Sequence, residues 1–423
     1  MQQIFRLKID NIAFGGDGVG RIDNTVCFVP GVAKGEFVEV KIIKEKKNYL
    51  RAKLLKVIDA SSERIEVVCP YAVIPTTNRG ADFCPGCAYL HLNYAEELRI
   101  KHQQFIDMLG RIGNIDINDE SININDIVGS EKDLHYRNKI TLHAQLEGRE
   151  RFLGYIKSDN ENVVDIEECA IADEMINKQL AELRANKSFF HSLHREMSLT
   201  LKKITNKKGE DEVLYWRNNP KENASWVRQL TVFGDFSTPL GSFQQVNQSV
   251  ADKLMKKVHD LIKSLMSNCD IKNVVDLYCG SGLFAMVAAE AGIKNITGIE
   301  VDEKAVAAAN FNLKRYELGD NVQFLAGKVE KLLKNFKSLN DLSKSVLIVD
   351  PPRGGLHRKV VEVLREMPFV KIIYISCAPN TLCRDLKAFI AKNWQIEETG
   401  VFDMFPRTGH FESLTVLKSN SKM

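Results

Sequence analysis

Apolar positions along the chain change their spacing twice, and each change marks a different kind of element. Up to residue 58, apolar and polar residues alternate in short runs, at Thr25–Val29, Phe37–Ile43 and Arg51–Val57. Turn signals, Gly15-Gly16-Asp17-Gly18 and Pro30-Gly31 among them, separate these runs. Period-two alternation between such turns predicts short strands, and strands at this interval suit a five-stranded OB-like β-barrel over residues 1–58. From Val67 to Cys87 the chain becomes an irregular loop containing Cys and Pro. Leu98, Phe105, Leu109 and Ile112 then fall near one face of a helix predicted over Tyr94–Ile112. Alternation returns in residues 134–170 (ITLHAQL, FLGYI), 171–200 reads as helical, and 201–235 is mixed with a loop at Asn218–Asn223. Residues 59–238 are therefore expected to form a central α+β domain.

Beyond about Pro239 the pattern turns regular. An amphipathic helix is predicted over Ser249–Met266, with Val250, Leu254, Val258, Leu261 and Leu265 on one stripe. Apolar runs follow at Asn273–Leu277, Ile296–Glu300, Val322–Leu325, Val346–Val349 and Ile372–Ile375, separated by helical stretches. Strands alternating with helices predict βαβ units, a parallel sheet and a Rossmann-like domain over 239–423, with ligands beyond the carboxyl ends of the strands. The fold class is α/β, in three domains.

Composition narrows the function classes. With 423 residues, 44% hydrophobic and 27% charged, the chain is an ordinary globular sequence, which excludes collagen-like, disordered and disulfide-scaffold classes. It has no run of 18 apolar residues, and MQQIFRLKID lacks the apolar stretch of a signal peptide. A cytoplasmic protein without a membrane partner is expected. Nine cysteines in that setting point to metal or catalytic roles before disulfides. Residues 1–60 hold 11 Lys/Arg against 7 Asp/Glu, a net +4, while the rest of the chain carries −1. Lys41, Lys44, Lys46, Lys47, Arg51 and Lys53 would share one hairpin. That hairpin is either a handle for a polyanion or an edge protected by lysines.

The first strand of the regular region ends in a glycine-rich turn, Asp276-Leu277-Tyr278-Cys279-Gly280-Ser281-Gly282, leading into a helix. Twenty residues after Gly280, the next strand ends at Glu300, placed to accept hydrogen bonds from ribose hydroxyls. NAD enzymes and S-adenosylmethionine (SAM) methyltransferases share this plan, and Ala285 in the third glycine position is compatible with both. Asp276 leans towards SAM, since a carboxylate would repel a pyrophosphate and attract a sulfonium and an ammonium.

Two further strand ends carry reactive groups: Asp350-Pro351-Pro352-Arg353-Gly354-Gly355, and Ser376-Cys377-Ala378-Pro379-Asn380. Cys377 stands at a carboxyl end, where this fold faces its ligand, whereas Cys383 and Cys279 read as packing residues. Near the C-terminus, Phe405, Pro406 and Phe411 surround Glu412. Desolvation there would raise its pKa towards that of a general base. A methyl donor, a thiol and a base together suit methylation of carbon 5 of uracil. Thiolate addition to carbon 6 places electron density on carbon 5, which can then take a methyl group.

FQQVNQ (Phe243–Gln248), DLYCGSG, GIE, DPPRGG, SCAPNTL and DMFPRTGHFES occur in an order that resembles the SAM-dependent RNA uracil-5-methyltransferases, in particular their iron–sulfur 23S rRNA branch. Gly16-Asp17-Gly18-Val19-Gly20-Arg21 resembles a TRAM domain, that family's RNA-binding barrel. The resemblance implies Cys377 as nucleophile, Glu412 as base, and SAM contacts at Gln245, Tyr278, Glu300 and Asp350. Leu283 and Lys328 depart from polar residues that can occur at their positions. It further implies that Cys69, Cys84, Cys87 and Cys169 hold a 4Fe-4S cluster, although C-x14-C-x2-C alone would favour zinc over iron. The long first gap departs from the family's short spacing and suggests a loop around Ile74 to Asp82.

The expected partner is RNA, 23S rRNA first and tRNA as the alternative, bound by a monomer. The target uridine would be flipped out, with Phe243, Arg353 and His410 as candidates to line its pocket. Readings from other classes are an NAD-dependent dehydrogenase and a non-catalytic iron–sulfur RNA-binding protein.

Overall fold

The computed structural model describes residues 3–72, 83–206, 208–220, 226–316, 321–336 and 341–420. The expected loop around Ile74 to Asp82 lies outside them, as does the second half of the Asn218–Asn223 loop. The N-terminal region is a sheet of β1 (Ile4–Lys8), β2 (Asn11–Ile12), β3 (Gly18–Ile22), β4 (Thr25–Val29), β5 (Phe37–Lys46) and β6 (Tyr49–Asp59), in the order β1-β5-β6-β4-β3-β2. It has six strands where the alternation predicts five, and the short β2 is too brief to show a period. The sheet rolls until its ends approach: Asp10 N donates to Val19 O at 2.8 Å, and a Cβ at Gly20 would lie 2.4 Å from the carbonyl oxygen of Lys8.

Helix α1 (Tyr94–Arg111) begins where Asn93 accepts from Glu96 N at 2.8 Å, an N-cap that satisfies one of the free amides of the first turn. Its buried face is only partly the predicted one: Phe105 and Leu109 are buried as expected. Ile112 is exposed and Leu98 half-buried, while Glu97, Lys101 and Gln104 are buried beside Ile100, Phe105, Met108 and Leu109. Buried charges on this face escape a reading that follows apolar residues alone.

After β7 (Asn123–Ile124), the central sheet comprises β8 (Lys139–Glu147), β9 (Glu150–Ile156), β10 (Val163–Asp165), β11 (Ser198–Thr205) and β12 (Asp211–Arg217), in the order β10-β9-β8-β11-β12. It carries α2 (Glu174–Ala185) and the short α3 (Lys187–His191). The helical reading of 171–200 therefore overran: the chain turns after His191 and enters β11 at Ser198, where Leu199 and Leu201 join the core under α2. A hairpin of β13 (Trp226–Thr231) and β14 (Gly234–Pro239) follows.

The last region alternates as expected: α4 (Gln248–Cys269), β15 (Asn273–Leu277), α5 (Leu283–Glu290), β16 (Asn295–Glu300), α6 (Glu303–Arg315), β17 (Val322–Ala326), α7 (Val329–Phe336), β18 (Ser345–Val349), α8 (Arg358–Leu364), β19 (Lys371–Ser376), α9 (Pro379–Ile390), β20 (Trp394–Phe402) and β21 (Glu412–Ser419). The sheet order is β17-β16-β15-β18-β19-β21-β20-β7. Its five parallel strands thus run 3-2-1-4-5 in chain order, with the direction of winding reversing between β15 and β18. In open parallel sheets, ligands bind at that switch point. Two apolar clusters, one on each face, bury the sheet. Val275 and Leu277 enter one with α1, α8 and α9, and Val274 enters the other with α4 and α5. At roughly 1.5–3 kcal/mol per fully buried aliphatic side chain, these two clusters are the main support for the strand edge that carries the site. On α4 the buried stripe includes Ile262 where Leu261 was expected.

Candidate functional site

Strand register brings the chemistry to one edge. Leu277, the last residue of β15, lies level with Ile299 in β16 and Val349 in β18. Tyr278, Glu300 and Asp350, each one step further, therefore stand side by side at the carboxyl end. Ser376 pairs with Ser413 across the antiparallel β19–β21 ladder, so the next residues, Cys377 and Glu412, are register neighbours at the same edge.

The glycine-rich turn is shaped for close approach. Tyr278, Gly280 and Gly282 have φ of 62°, 53° and 86°. A left-handed backbone suits Gly and is costly for Tyr, so the Tyr278 backbone is held by its surroundings. A Cβ at Gly280 would meet nothing within 4 Å, which leaves the turn open, whereas one at Gly282 would press on Phe324 and Ala309 at 3.0 and 3.1 Å. Glu300 closes the turn from the next strand: Gly280 N donates to it at 3.1 Å, and Val301 N and Asp302 N donate at 2.6 and 2.9 Å.

The site is acidic and under-satisfied. Asp276 is fully buried. One oxygen accepts from Ala285 N at 3.1 Å, and the other has no partner among the described residues. Burial, with Asp350 and Glu300 nearby, holds its carboxyl well above the usual range. Burial also pushes Asp350 up to about 7. Glu412 is 3% exposed, and its carboxyl is driven well up by burial and by Asp350, with Arg353 opposing. The Cys377 thiol is half-buried and pushed up to about 11, first by burial and then by Glu412 and Asp350, again against Arg353. Gln245 is buried, with Oε1 unpartnered. Burial raises the Tyr278 hydroxyl to about 12. Uncompensated carboxylates and orphaned acceptors fit a cationic ligand with donor groups, as SAM is, better than a pyrophosphate.

The other sequence candidates spread around this edge. Arg353 and His410 are exposed, and Phe243 is 75% exposed. Leu283 opens α5, and Lys328 is exposed just before α7. Cys279 and Cys383 are buried in the two apolar clusters, as packing residues should be.

Behind the crevice stands a group of residues that the sequence reading missed. Lys101, fully buried, donates to Glu97 and to Asp403 at 2.7 Å each and to Phe405 O at 3.1 Å. Tyr94 OH donates to Asp403 at 2.9 Å, and Tyr136 OH to Pro406 O at 2.9 Å. Arg407 has φ 68°, donates through its backbone to Glu97 at 2.7 Å and through its side chain to Leu92 O at 2.7 Å, and pairs with Asp133. These contacts clamp the segment running into Glu412. The signal was Glu97 and Lys101, an i, i+4 pair on a helix otherwise read by its apolar residues. The N-terminal sheet abuts the same segment, since a Cβ at Gly409 would lie 2.6 Å from Gly15 O and the Phe14 ring meets Phe411 edge-on at 5.7 Å.

The four cysteines come from three segments. Besides burial, Cys69 and Cys169 raise the Cys84 thiol, to about 12, and Cys69, Cys84 and Cys169 raise that of Cys87. Tyr155 OH donates to Cys169 Sγ at 3.5 Å, and none of the four forms a disulfide. Four neighbouring thiols fit a thiolate-held centre by donor chemistry. Among the described residues, however, no three His, Cys, Asp or Glu side chains are spaced to hold a metal ion. Next to Cys87, Ala88 N and Tyr89 N donate to Arg407 O at 2.8 and 3.0 Å, tying this loop to the clamped segment.

The basic hairpin forms as predicted. β5 and β6 place Lys41 opposite Lys53 and Lys44 opposite Arg51, with Lys44, Lys46, Lys47, Arg51 and Lys53 exposed and Arg51 2.5 Å from Asp17. No helix among the described residues is long and apolar enough to cross a membrane.

Comparison with known proteins agrees with this geometry. The tRNA (Uracil-5-)-methyltransferase family matches residues 227–420, and the TRAM domain family matches residues 2–55. An uncharacterized RNA methyltransferase of Synechocystis is 31% identical over 98% of this chain and 96% of its own. Another from Aquifex aeolicus is 30% identical over 98% of each. The fold is shared with the crystal structure of Pyrococcus abyssi tRNA (uracil-54, C5)-methyltransferase in complex with S-adenosyl-L-homocysteine. That structure is 22% identical, with TM-score 0.71 over 98% of this chain and 100% of that one. With an acidic crevice at the sheet's switch point and relatives of this kind along its whole length, the chain belongs to the RNA methyltransferases, with a domain that matches the tRNA (Uracil-5-)-methyltransferase family over residues 227–420 and a TRAM domain at its N-terminus.

Proposed function

We propose that the protein methylates carbon 5 of a uridine through a covalent adduct at Cys377. SAM supplies the methyl group, and Gln245, Tyr278, Glu300 and Asp350 would hold it. The Cys377 thiolate adds to carbon 6, and the electron pair moves to carbon 5, which would take the methyl as its bond to the donor sulfur breaks and S-adenosylhomocysteine is left. Glu412 then removes the proton from carbon 5, and the returning electron pair expels the thiolate. The supporting observation is the register that makes Cys377 and Glu412 neighbours at the ligand edge. Burial raises the proton affinity of both groups in the ligand-free protein, so their ionised forms would have to be favoured as the site fills. A cationic donor beside them and Arg353 across from them favour that ionisation. RNA containing 5-fluorouridine is the test. It should trap a covalent complex with the wild-type protein and SAM, because fluorine cannot leave as a proton, and Cys377→Ala should form none. A trapped complex with Cys377→Ala would sink the assignment.

The motif resemblance favours 23S rRNA as substrate. A tRNA is the second reading, because the matching family and the Pyrococcus enzyme are both described as acting on tRNA. Mass mapping of both RNAs from cells lacking the protein separates the two. The basic hairpin would bind RNA phosphates from a domain ending near residue 58, with a central domain to about 238. Cys69, Cys84, Cys87 and Cys169 would hold a 4Fe-4S cluster with a structural role, keeping the loop at Ala88 and Tyr89 against Arg407. Anaerobically purified protein should contain iron and sulfide, and Cys87→Ser should lose iron and soluble protein together. Stoichiometric zinc in place of iron would overturn the cluster.

A further inference from the structure

A second polar cavity, of about 230 Å³, lies between the central sheet and the β13–β14 hairpin, and Lys202 is on its wall. Lys202 is only 5% exposed, and no carboxylate among the described residues pairs with it. The nearby acids are engaged elsewhere: Asp173 and Asp211 pair with Lys203 at 3.0 Å each, and Asp235 with Arg228. Across the ladder, Lys202 stands directly opposite Lys139, a like-charge pairing that destabilises a sheet unless an anion offsets it. Arg228, on the same wall, has its buried Nε without a partner among the described residues. Lysine is seldom buried unpaired, because desolvating an ammonium is costly.

We propose that this cavity is a phosphate-binding subsite and that it receives a phosphodiester group of the substrate RNA. Position supports the source. Gln244 and Gln248 line the cavity, and they flank Gln245 of the proposed SAM-binding set. Asn138, also on the wall, donates to Gln245 O at 3.1 Å, so a strand anchored here would lie beside the segment that faces the reaction. Burial and Lys139 hold the Lys202 ammonium down to about 7, so an arriving phosphate would also restore its charge. The RNA assignment rests on the proposed uridine methylation, whereas the phosphate site does not.

The test compares wild type with Lys202→Met, a change that removes a buried charge and keeps the side chain's length. Inorganic phosphate, at ionic strength matched with chloride, should raise the melting temperature of the wild type and not of Lys202→Met. For binding of substrate RNA, Lys202→Met should lower the slope of log affinity against log salt by about 0.7–0.9, one phosphate contact. If phosphate stabilises only the wild type while the RNA slope is unchanged, the subsite stands and belongs to a free phosphate or nucleotide, and the RNA assignment falls. Equal responses of both proteins in both arms would overturn the proposal. Should Lys202→Met not fold, Arg228→Gln, on the same wall, should give the same readouts, and Lys202→Arg should retain the wild-type responses. Absence of methyl transfer to any RNA, with the phosphate response intact, would remove the uridine reading and leave the subsite.

Discussion

Two groups of buried charge meet in the segment from Asp403 to Glu412, and they are balanced in different ways. On the α1 side, Lys101 and Arg407 answer Glu97, Asp403 and Asp133, and the surrounding donors are spent on backbone carbonyls. On the crevice side, Asp276 and Glu412 are buried and Asp350 half-buried, none of them paired with a lysine or arginine among the described residues, where acceptors on Asp276 and Gln245 also find no partner. The first group completes itself and holds the loop. The second is complete only with a ligand, since a buried carboxylate lacking a counter-charge keeps its proton or waits for a cation. Compensated charge marks where this protein supports itself, and uncompensated charge marks where it binds.

The contrast can be broken most strongly at Lys101. Lys101→Met leaves two carboxylates buried without their ammonium, and removing one partner of such a group costs about 3–5 kcal/mol. Urea denaturation should show that loss. A loss of under about 1 kcal/mol would mean that the network does not hold the loop.

The same kind of change in the crevice should act in the other direction. Asp350→Asn removes a carboxylate whose ionisation the folded state opposes, so the ligand-free protein should melt no lower, and up to a few degrees higher, at about pH 7.5. Its SAM affinity, read by titration calorimetry, should fall roughly tenfold or more, in line with a lost charge-assisted contact of ~1.5–3 kcal/mol. Lower stability with unchanged SAM affinity would reverse the roles of the two regions.

A smaller effect follows from pH. Asp350 is raised from 3.8 unfolded to about 7 folded, so the folded protein binds the extra proton between those values. Stability of the ligand-free protein should therefore fall as pH rises from about 4 towards 7, and Asp350→Asn should flatten that slope. The smallest effect is at Cys377. With the thiol pushed up to about 11, its alkylation should quicken roughly tenfold per pH unit through the neutral range. SAM should speed this reaction relative to S-adenosylhomocysteine, whose sulfur is neutral, and an equal effect of the two would show that the sulfonium charge does not reach the thiol.

Much of the catalytic region was legible because parallel strands buried on both faces read as continuous apolar runs, and the runs at Asn273–Leu277 and Val346–Val349 are the strands β15 and β18. The residues proposed for chemistry were legible for a related reason: in this fold, the residue following such a run sits at the ligand edge. Helix α1 was placed correctly and its face misjudged, because Glu97, Lys101 and Gln104 are buried by partners more than 90 positions away, such as Asp403 and Ile12. Residues 171–200 were read as one helical stretch because Met197 and Leu199 fit either period over so short a span.

The sequence alone determined where the strands end, and so which side chains reach the crevice, because local period and turn residues depend on near neighbours. Which buried charges find partners was decided only by the tertiary structure. Beyond its local partner Glu97, Lys101 is neutralised by the distant Asp403, while Lys202 faces Lys139 across the ladder. Electrostatic compensation acts through space between distant segments, so it exists only once the chain has folded.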